Sequence, residues 1–239
     1  MSASAHEKIY RAVFELVNLN PPAAAILDIP CGSGIFAKRL LDAGYQAEAA
    51  DVRKYIEAPE IPFHAVDMDK TLPFESATFD AVVSIEGIEH IKNPFGFIQE
   101  CRRIVRPEGR LYLTTPNISS IRSRWRWFLT GFHAKAEYPF DEENPSPRHH
   151  INMLAFPALR YMLHTNGFRI ETITKNRVKP INWVYAPWAP IHYLATRLAI
   201  DHKAKNNAHR GQIVAIRKQM MSTPILFGES IVLVAQRRP

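Results

Sequence analysis

The chain has 239 residues, 46% of them hydrophobic and 22% charged, which excludes a disordered polymer and suits one folded domain. Cys31 and Cys101 are its only cysteines, too few for a disulfide framework or a cysteine metal cluster, and they fit a reducing compartment. The net charge of +7 is uneven: residues 175–239 carry eleven Lys/Arg against Asp201 and Glu229, whereas the first 174 residues are slightly acidic, so a basic C-terminal part faces an anionic partner or solvent.

No run of 18 apolar residues occurs, and Met1–Lys8 lacks a basic region followed by an apolar stretch. A cytoplasmic chain without a spanning helix or secretory leader is expected, with membrane association left to surface chemistry.

Taken in order, Ile9, Val13, Phe14, Leu16 and Val17 have helical spacing, so a helix is predicted over Glu7–Leu19, stopped by Asn20-Pro21-Pro22. Ala25–Ile29 reads as a buried strand. The turn Pro30-Cys31-Gly32-Ser33-Gly34 and an amphipathic helix, Ile35–Ala43, follow at once, with Gly44 closing the helix. Strand, glycine turn and helix N-terminus together form a nucleotide-binding corner, with Asp28 at the carboxy end of the strand. Ala47–Val52 is a second strand. Its Asp51, about 20 residues past the glycines, suits both hydroxyls of a ribose. Ile61–Val66 is a third strand. After it, Asp67 can accept from an exocyclic adenine amine, and Met68 can lie against the purine. Phe79–Ser84 is a fourth strand ending at the pocket, followed by Ile85 and Glu86-Gly87-Ile88-Glu89-His90. A helix over Pro94–Val105, a turn at Arg106–Gly109 and a fifth strand, Arg110–Thr115, complete this half.

The ordered set Ile-Leu-Asp-Ile-Pro-Cys-Gly-Ser-Gly, Asp51, Leu-Pro-Phe-Glu-Ser-Ala-Thr-Phe-Asp-Ala-Val-Val-Ser-Ile-Glu-Gly-Ile-Glu-His and Arg-Pro-Glu-Gly-Arg-Leu-Tyr-Leu-Thr-Thr-Pro-Asn covers about residues 24–117. It resembles the class I S-adenosylmethionine-dependent methyltransferases, nearest to the branch of ubiquinone-biosynthesis O-methyltransferases and small-molecule methyltransferases. The resemblance implies an α/β, Rossmann-like doubly wound sheet of seven strands, the last antiparallel. It also implies that S-adenosylmethionine lies on Asp28, Pro30, Cys31, Gly32, Gly34, Asp51, Asp67, Met68, Ser84 and Ile85. Gly32 and Gly34 would lie under the methionine moiety, Asp51 at the ribose, and Asp67 and Met68 at the adenine. One position departs: the family usually has glycine where this chain has Pro30, so the turn must be entered at negative φ.

The whole chain, 1–239, is read as one domain with two insertions. Residues 118–154 form a lid after the fifth strand, with Trp125, Phe128, Leu129 and Phe132 on one helical face beside Arg122, Arg124, Arg126 and Lys135. This resembles the substrate-side insertion of the ubiquinone-type enzymes. Arg148-His149-His150-Ile151-Asn152 precedes a helix over Phe156–Thr165, which Asn152 could cap. Adjacent histidines are a poor metal signal, and no metal is expected. Phe168–Lys175 and Glu229–Ala235 are the sixth and seventh strands. Residues 177–228, between them, hold Trp183, Tyr185, Trp188 and Tyr193, an apolar face at Ile191, Leu194, Ala195 and Leu198, and a basic stretch from Lys203 to Lys218. That chemistry fits an anionic membrane surface, a homodimer contact or a greasy substrate wall.

Methyl transfer to an alcohol or phenol needs a base, and a histidine titrates in the right range. His90, His149 and His150 are the candidates, with Glu89 as an orienting partner. The expected acceptor is a hydrophobic, phenolic or lipid-linked small molecule methylated on oxygen. Alternatives are N-methylation, a sugar hydroxyl, nucleic acid or a non-catalytic scaffold. Base methylation is disfavoured because Ser84-Ile85-Glu86-Gly87 stands where an Asp/Asn-Pro-Pro-Tyr/Phe motif would be.

Overall fold

The computed structural model describes residues 3–135, 140–146 and 149–239. Strands β1 (Ala25–Asp28), β2 (Gln46–Asp51), β3 (Phe63–Ala65), β4 (Phe79–Ile85) and β5 (Val105–Pro116) run parallel. The last strand, β7 (Ser230–Arg237), lies antiparallel between β5 and β6 (Phe168–Lys175). The sheet order is β3-β2-β1-β4-β5-β7-β6. It reverses direction between β1 and β4, where an open parallel sheet leaves a crevice beyond its carboxy ends.

Successive side chains of a strand point to opposite faces, and both faces here are covered. Leu27 and Ile29 face a core shared with α3 (Pro94–Ile104) and α5 (Phe156–Thr165). Ile26 faces the other core, where α1 (Ala3–Val17) inserts Ile9, Val13 and Val17, and α2 (Ile35–Asp42) inserts Phe36 and Leu40. Buried on both sides, the central strands need near-continuous apolar runs. The helix starts follow local chemistry. Asn93 accepts the Gly96 N–H at 2.9 Å, and Pro94 opens α3 where its missing N–H costs nothing.

β5 is longer than the sequence predicts. Val105 already pairs with Phe79, the Arg106–Gly109 turn bulges out, and pairing resumes at Arg110 with Ala81. A side chain at Gly109 would meet the Asp80 carbonyl at 2.6 Å, so the bulge requires glycine.

Beyond β5 come α4 (Ile121–Thr130) and extended segments. Phe132 falls outside the helix, which Gly131 ends at φ +72°, so the apolar stripe predicted through Phe132 stops at Leu129. Arg148 lies outside the described residues. Between β6 and β7 the chain forms a 3-10 segment (Pro180–Trp188), α6 (Ala189–Ile200), α7 (Asn207–Met220) and α8 (Thr223–Phe227). Ile121 of α4 packs with Leu226 and Phe227 of α8, and Trp125, Tyr185 and Ala189 surround them. Among the described residues, no helix is long and apolar enough to cross a membrane.

Candidate active site

Four carboxy strand ends meet at the crevice. After β1 the chain passes Ile29 and a cis Pro30, then turns through Gly32 at φ +53° and Gly34 at φ +79° into α2. The two glycines serve different ends. A side chain at Gly34 would strike Ile56 at 2.3 Å, whereas one at Gly32 would meet nothing within 4 Å. Gly32 therefore borders open space, where a ligand can approach the backbone. The Cys31 N–H donates to the Ala50 carbonyl and the Gly32 N–H to Asp51 Oδ2, both at 2.9 Å, so the end of β2 fixes the turn. Pro30 finds its place against Gly87: a Cβ at Gly87 would lie 2.3 Å from the proline Cδ. The ring occupies space that a glycine at the second residue after β4 leaves free.

Asp51 accepts from the Gly32 and Val52 N–H groups and keeps further lone pairs on both oxygens. Asp67 follows β3 beside it, with Oδ1 accepting the Asp69 N–H, and Met68 is buried in the core. Asp28 is buried, and neither of its oxygens has a hydrogen-bond partner among the described residues. Burial pushes its pKa up to about 8. Ser84 is buried with its hydroxyl unpartnered, and Ile85 ends β4. A cationic donor beside Asp28 and hydroxyls beside Asp51 would complete these groups. S-adenosylmethionine carries both, an ammonium and a ribose, so the residues fit it.

The second half of the site starts at Glu86, whose φ of +49° is unusual for a side chain of that size. The 3-10 turn Ile88–His90 follows. Glu86 accepts from the Thr114 hydroxyl at 3.2 Å, and Glu89 from the Thr115 hydroxyl at 3.1 Å. Burial raises both carboxyls: Glu86 to about 7, with Lys135 opposing, and Glu89 well above its ordinary range, with the Glu86 charge adding to the rise.

The three candidate histidines part company here. The His90 and His150 rings meet edge to face, centroids 4.8 Å apart. Their ring nitrogens and a Glu89 carboxylate oxygen lie within 4.8 Å of one another. His90 Nδ1 is 3.1 Å from the His149 carbonyl, and His150 Nδ1 is 3.2 Å from the Lys135 carbonyl. His149 instead stacks its ring on Phe140 at 5.0 Å. Asn152 does not cap α5. Its N–H donates to the Glu89 carbonyl and its side-chain amide donates to Ile91, while the Phe156 N–H donates to Ser119. Asn152 thus straps the His149–His150 segment to the 3-10 turn. A cleft of about 470 Å³ opens alongside, lined by Gly131, Phe132, His133, Ile151, Asn152 and Met153.

Two carboxylates that sequence reasoning did not place at the site, Glu86 and Glu229, belong to this neighbourhood. Glu86 stands three residues before Glu89, just ahead of the 3-10 turn that carries Glu89. Glu229, at the foot of β7, is gripped by Lys135 and Lys179 at 2.8 Å and by Arg177. Only the Glu-x-x-Glu-His spacing was visible beforehand; the Glu229 cluster joins residues up to 94 positions apart.

Comparison with known proteins agrees with this geometry. A family profile described as a methyltransferase domain matches residues 3–173. The chain is 23% identical over 205 residues to the ubiquinone biosynthesis O-methyltransferase of Xanthomonas axonopodis pv. citri, covering 81% of this chain and 80% of that one. Its fold is that of a SAM-dependent methyltransferase from Archaeoglobus fulgidus, with a TM-score of 0.61 at 18% identity over 97% of this chain and 94% of the other. It also matches phosphoethanolamine N-methyltransferase 2 of Haemonchus contortus, solved with S-adenosyl-L-methionine, with a TM-score of 0.55 at 15% identity over 96% of this chain and 52% of the other. With the family match spanning most of the chain, the chain belongs to the S-adenosylmethionine-dependent methyltransferases.

Proposed function

We propose that the protein methylates an oxygen of a hydrophobic, phenolic or lipid-linked small molecule. The observation that carries this reading is the Glu89–His90–His150 group beside a cleft with Phe132, Ile151 and Met153 in its wall. S-adenosylmethionine, held by Asp28, the Pro30–Gly34 turn, Asp51, Asp67, Met68, Ser84 and Ile85, supplies an electrophilic methyl group. The remaining work falls to the chain itself. The apolar wall orients the acceptor, which is largely a matter of proximity. His90 or His150 takes the acceptor's proton near neutral pH. Glu89, adjacent and buried, orients the imidazole. His149, turned to Phe140, orients the segment rather than receiving the proton.

A second reading has its own observation. Glu89, His90 and His150 offer one carboxylate and two imidazoles within 4.8 Å, enough to hold a divalent cation. Such an ion would keep Glu89 ionised and lower the pKa of a bound phenol, replacing the histidine base.

The test is transfer of a labelled methyl group to three matched acceptors: a catechol with an isoprenoid tail, the same catechol without it, and the tailed aniline. Label on the oxygen of the tailed catechol supports the reading. Label on the aniline nitrogen, or none on either catechol with the cofactor bound, refutes it.

A further inference from the structure

Lys135 stands in a backbone conformation that its side chain does not favour. Its φ is +75°, a region that residues bearing a Cβ rarely enter and hold only when their surroundings fix them. Both ends of the residue are fixed. On the amino side, the Ala134 N–H donates to the hydroxyl of Ser123, a buried residue of α4. At the tip of the side chain, Nζ lies 2.8 Å from Oε1 of the buried Glu229. Glu229 is in turn held by the main chain. Its N–H donates to the Arg177 carbonyl at 3.0 Å, and its carbonyl accepts the Asn117 N–H at 3.1 Å. The segment that follows α4 is thus tied to the foot of β7.

What this conformation aims is the Lys135 carbonyl. It lies 3.2 Å from Nδ1 of His150. A carbonyl oxygen can only accept, so the contact is a hydrogen bond only when Nδ1 carries the proton. In the neutral ring the lone pair then sits on Nε2, because the hydrogen bond made by one ring nitrogen decides the state of the other. His90 has a different partner, the His149 carbonyl at 3.1 Å. Lys179 makes the same ion pair without serving a histidine. Its Nζ is also 2.8 Å from Glu229 Oε1, but its carbonyl accepts the Asn182 N–H at 2.8 Å.

We propose that Lys135 is a positioning residue: anchored on Glu229, it holds its carbonyl against His150 and fixes that ring with the proton on Nδ1 and the basic lone pair on Nε2. Its bearing on catalysis rests on the reading of His150 as a base, but the tautomer is read without turnover.

The experiment is nitrogen-15 NMR of the full chain with labelled histidines at about pH 8.5, above the ordinary imidazole range. Loss of signals in His150→Gln identifies the His150 ring. The wild-type ring should carry its proton on Nδ1. Lys135→Met should still fold, because Arg177 and Lys179 continue to neutralise Glu229. It frees the carbonyl, so His150 should move towards the Nε2–H tautomer that an unconstrained imidazole prefers, while His90 keeps its own. With the tailed catechol, kcat should fall about 10–100-fold at little change in KM, the usual effect of removing the partner that orients an imidazole. Lys135→Arg should restore the tautomer and most of kcat. Lys179→Met removes an equal ion pair. It should lower the melting temperature as Lys135→Met does, yet leave the tautomer and kcat unchanged.

Three results overturn the proposal: a wild-type His150 with its proton on Nε2; a His150 tautomer unchanged in Lys135→Met; or an equal loss of kcat in Lys179→Met, which marks a merely structural role. A tautomer that shifts in Lys135→Met together with normal turnover in His150→Ala upholds the positioning of the ring and refutes only the reading of His150 as a base.

Discussion

Asp28 ties cofactor binding to a proton. In the free protein burial pushes its carboxyl up to about 8, with the Ala37 backbone N–H opposing and the Asp51 charge adding to the rise. Below that pH it is protonated. A ligand ammonium placed against it favours the carboxylate and returns the pKa towards its ordinary value of about 3.9. Binding between these limits therefore expels close to one proton, and affinity should rise about tenfold, or 1.4 kcal/mol, for each unit that pH increases towards 8. S-adenosylhomocysteine is a suitable probe, because below about pH 7.7 its α-amine stays an ammonium and adds no slope of its own. The assay is calorimetry at pH 6.5 in two buffers of different ionisation enthalpy, repeated at pH 5.5 to give the slope. Asp28→Asn should bind with no slope and release no proton. Heats independent of buffer, or a slope that survives in Asp28→Asn, would refute the reasoning. The sign for stability is opposite. The native state holds this proton more tightly than the unfolded chain does. Asp28's contribution in the cofactor-free protein is therefore full below the unfolded value of 3.8 and is lost as pH rises to about 8.

Other consequences are equally concrete. Asp51→Ala removes the acceptor for the Gly32 N–H as well as for the ribose, and cofactor affinity should fall by about 1–3 kcal/mol by calorimetry. His90→Ala or His150→Ala should lower turnover by about 10²–10⁴-fold with cofactor affinity kept, whereas His149→Ala should cost far less; equal losses at all three would contradict the ring geometry. Removing divalent ions with a chelator separates the two readings of the same cluster: unchanged turnover supports the histidine base, and loss restored by added Mg²⁺ or Zn²⁺ supports the cation. Glu229 is raised by burial but pulled down further, to about 2, by Arg177, Lys135 and Lys179. Its stabilisation is present above its unfolded value of 4.5 and disappears as pH falls towards 2, so the melting temperature of wild type should drop more over that window than that of Glu229→Gln.

The cofactor half was largely legible from sequence because its logic is local. Ala25–Asp28 is a short apolar strand, the glycines sit within six residues of it, and Asp51 follows at a fixed distance along one βαβ unit. Helix α5 and strand β6 fall on the predicted residues because Phe156, Leu159 and Leu163 keep strict helical spacing and Gly167 ends the run. The acceptor half was legible only in fragments. Nothing in the sequence distinguishes His150 from His149; the Phe140 stack and the Asn152 strap decide that, and the strap joins residues 61 positions apart. Pro30 reads as an anomaly until Gly87, from a different strand end, is seen beneath it. The apolar face at Ile191, Leu194, Ala195 and Leu198 was legible from its spacing, but its exposure needed the fold.

The account's central claim is that one crevice brings the cofactor's reacting end to the Glu89–His90–His150 group. A crystal structure with S-adenosylhomocysteine tests it most directly. The account predicts the ligand's amine on Asp28, its ribose on Asp51, and its sulfur facing Nε2 of His90 or His150 across a space that one acceptor hydroxyl can fill. A ligand whose sulfur points away from that group, or whose amine leaves Asp28 unpartnered, would contradict it.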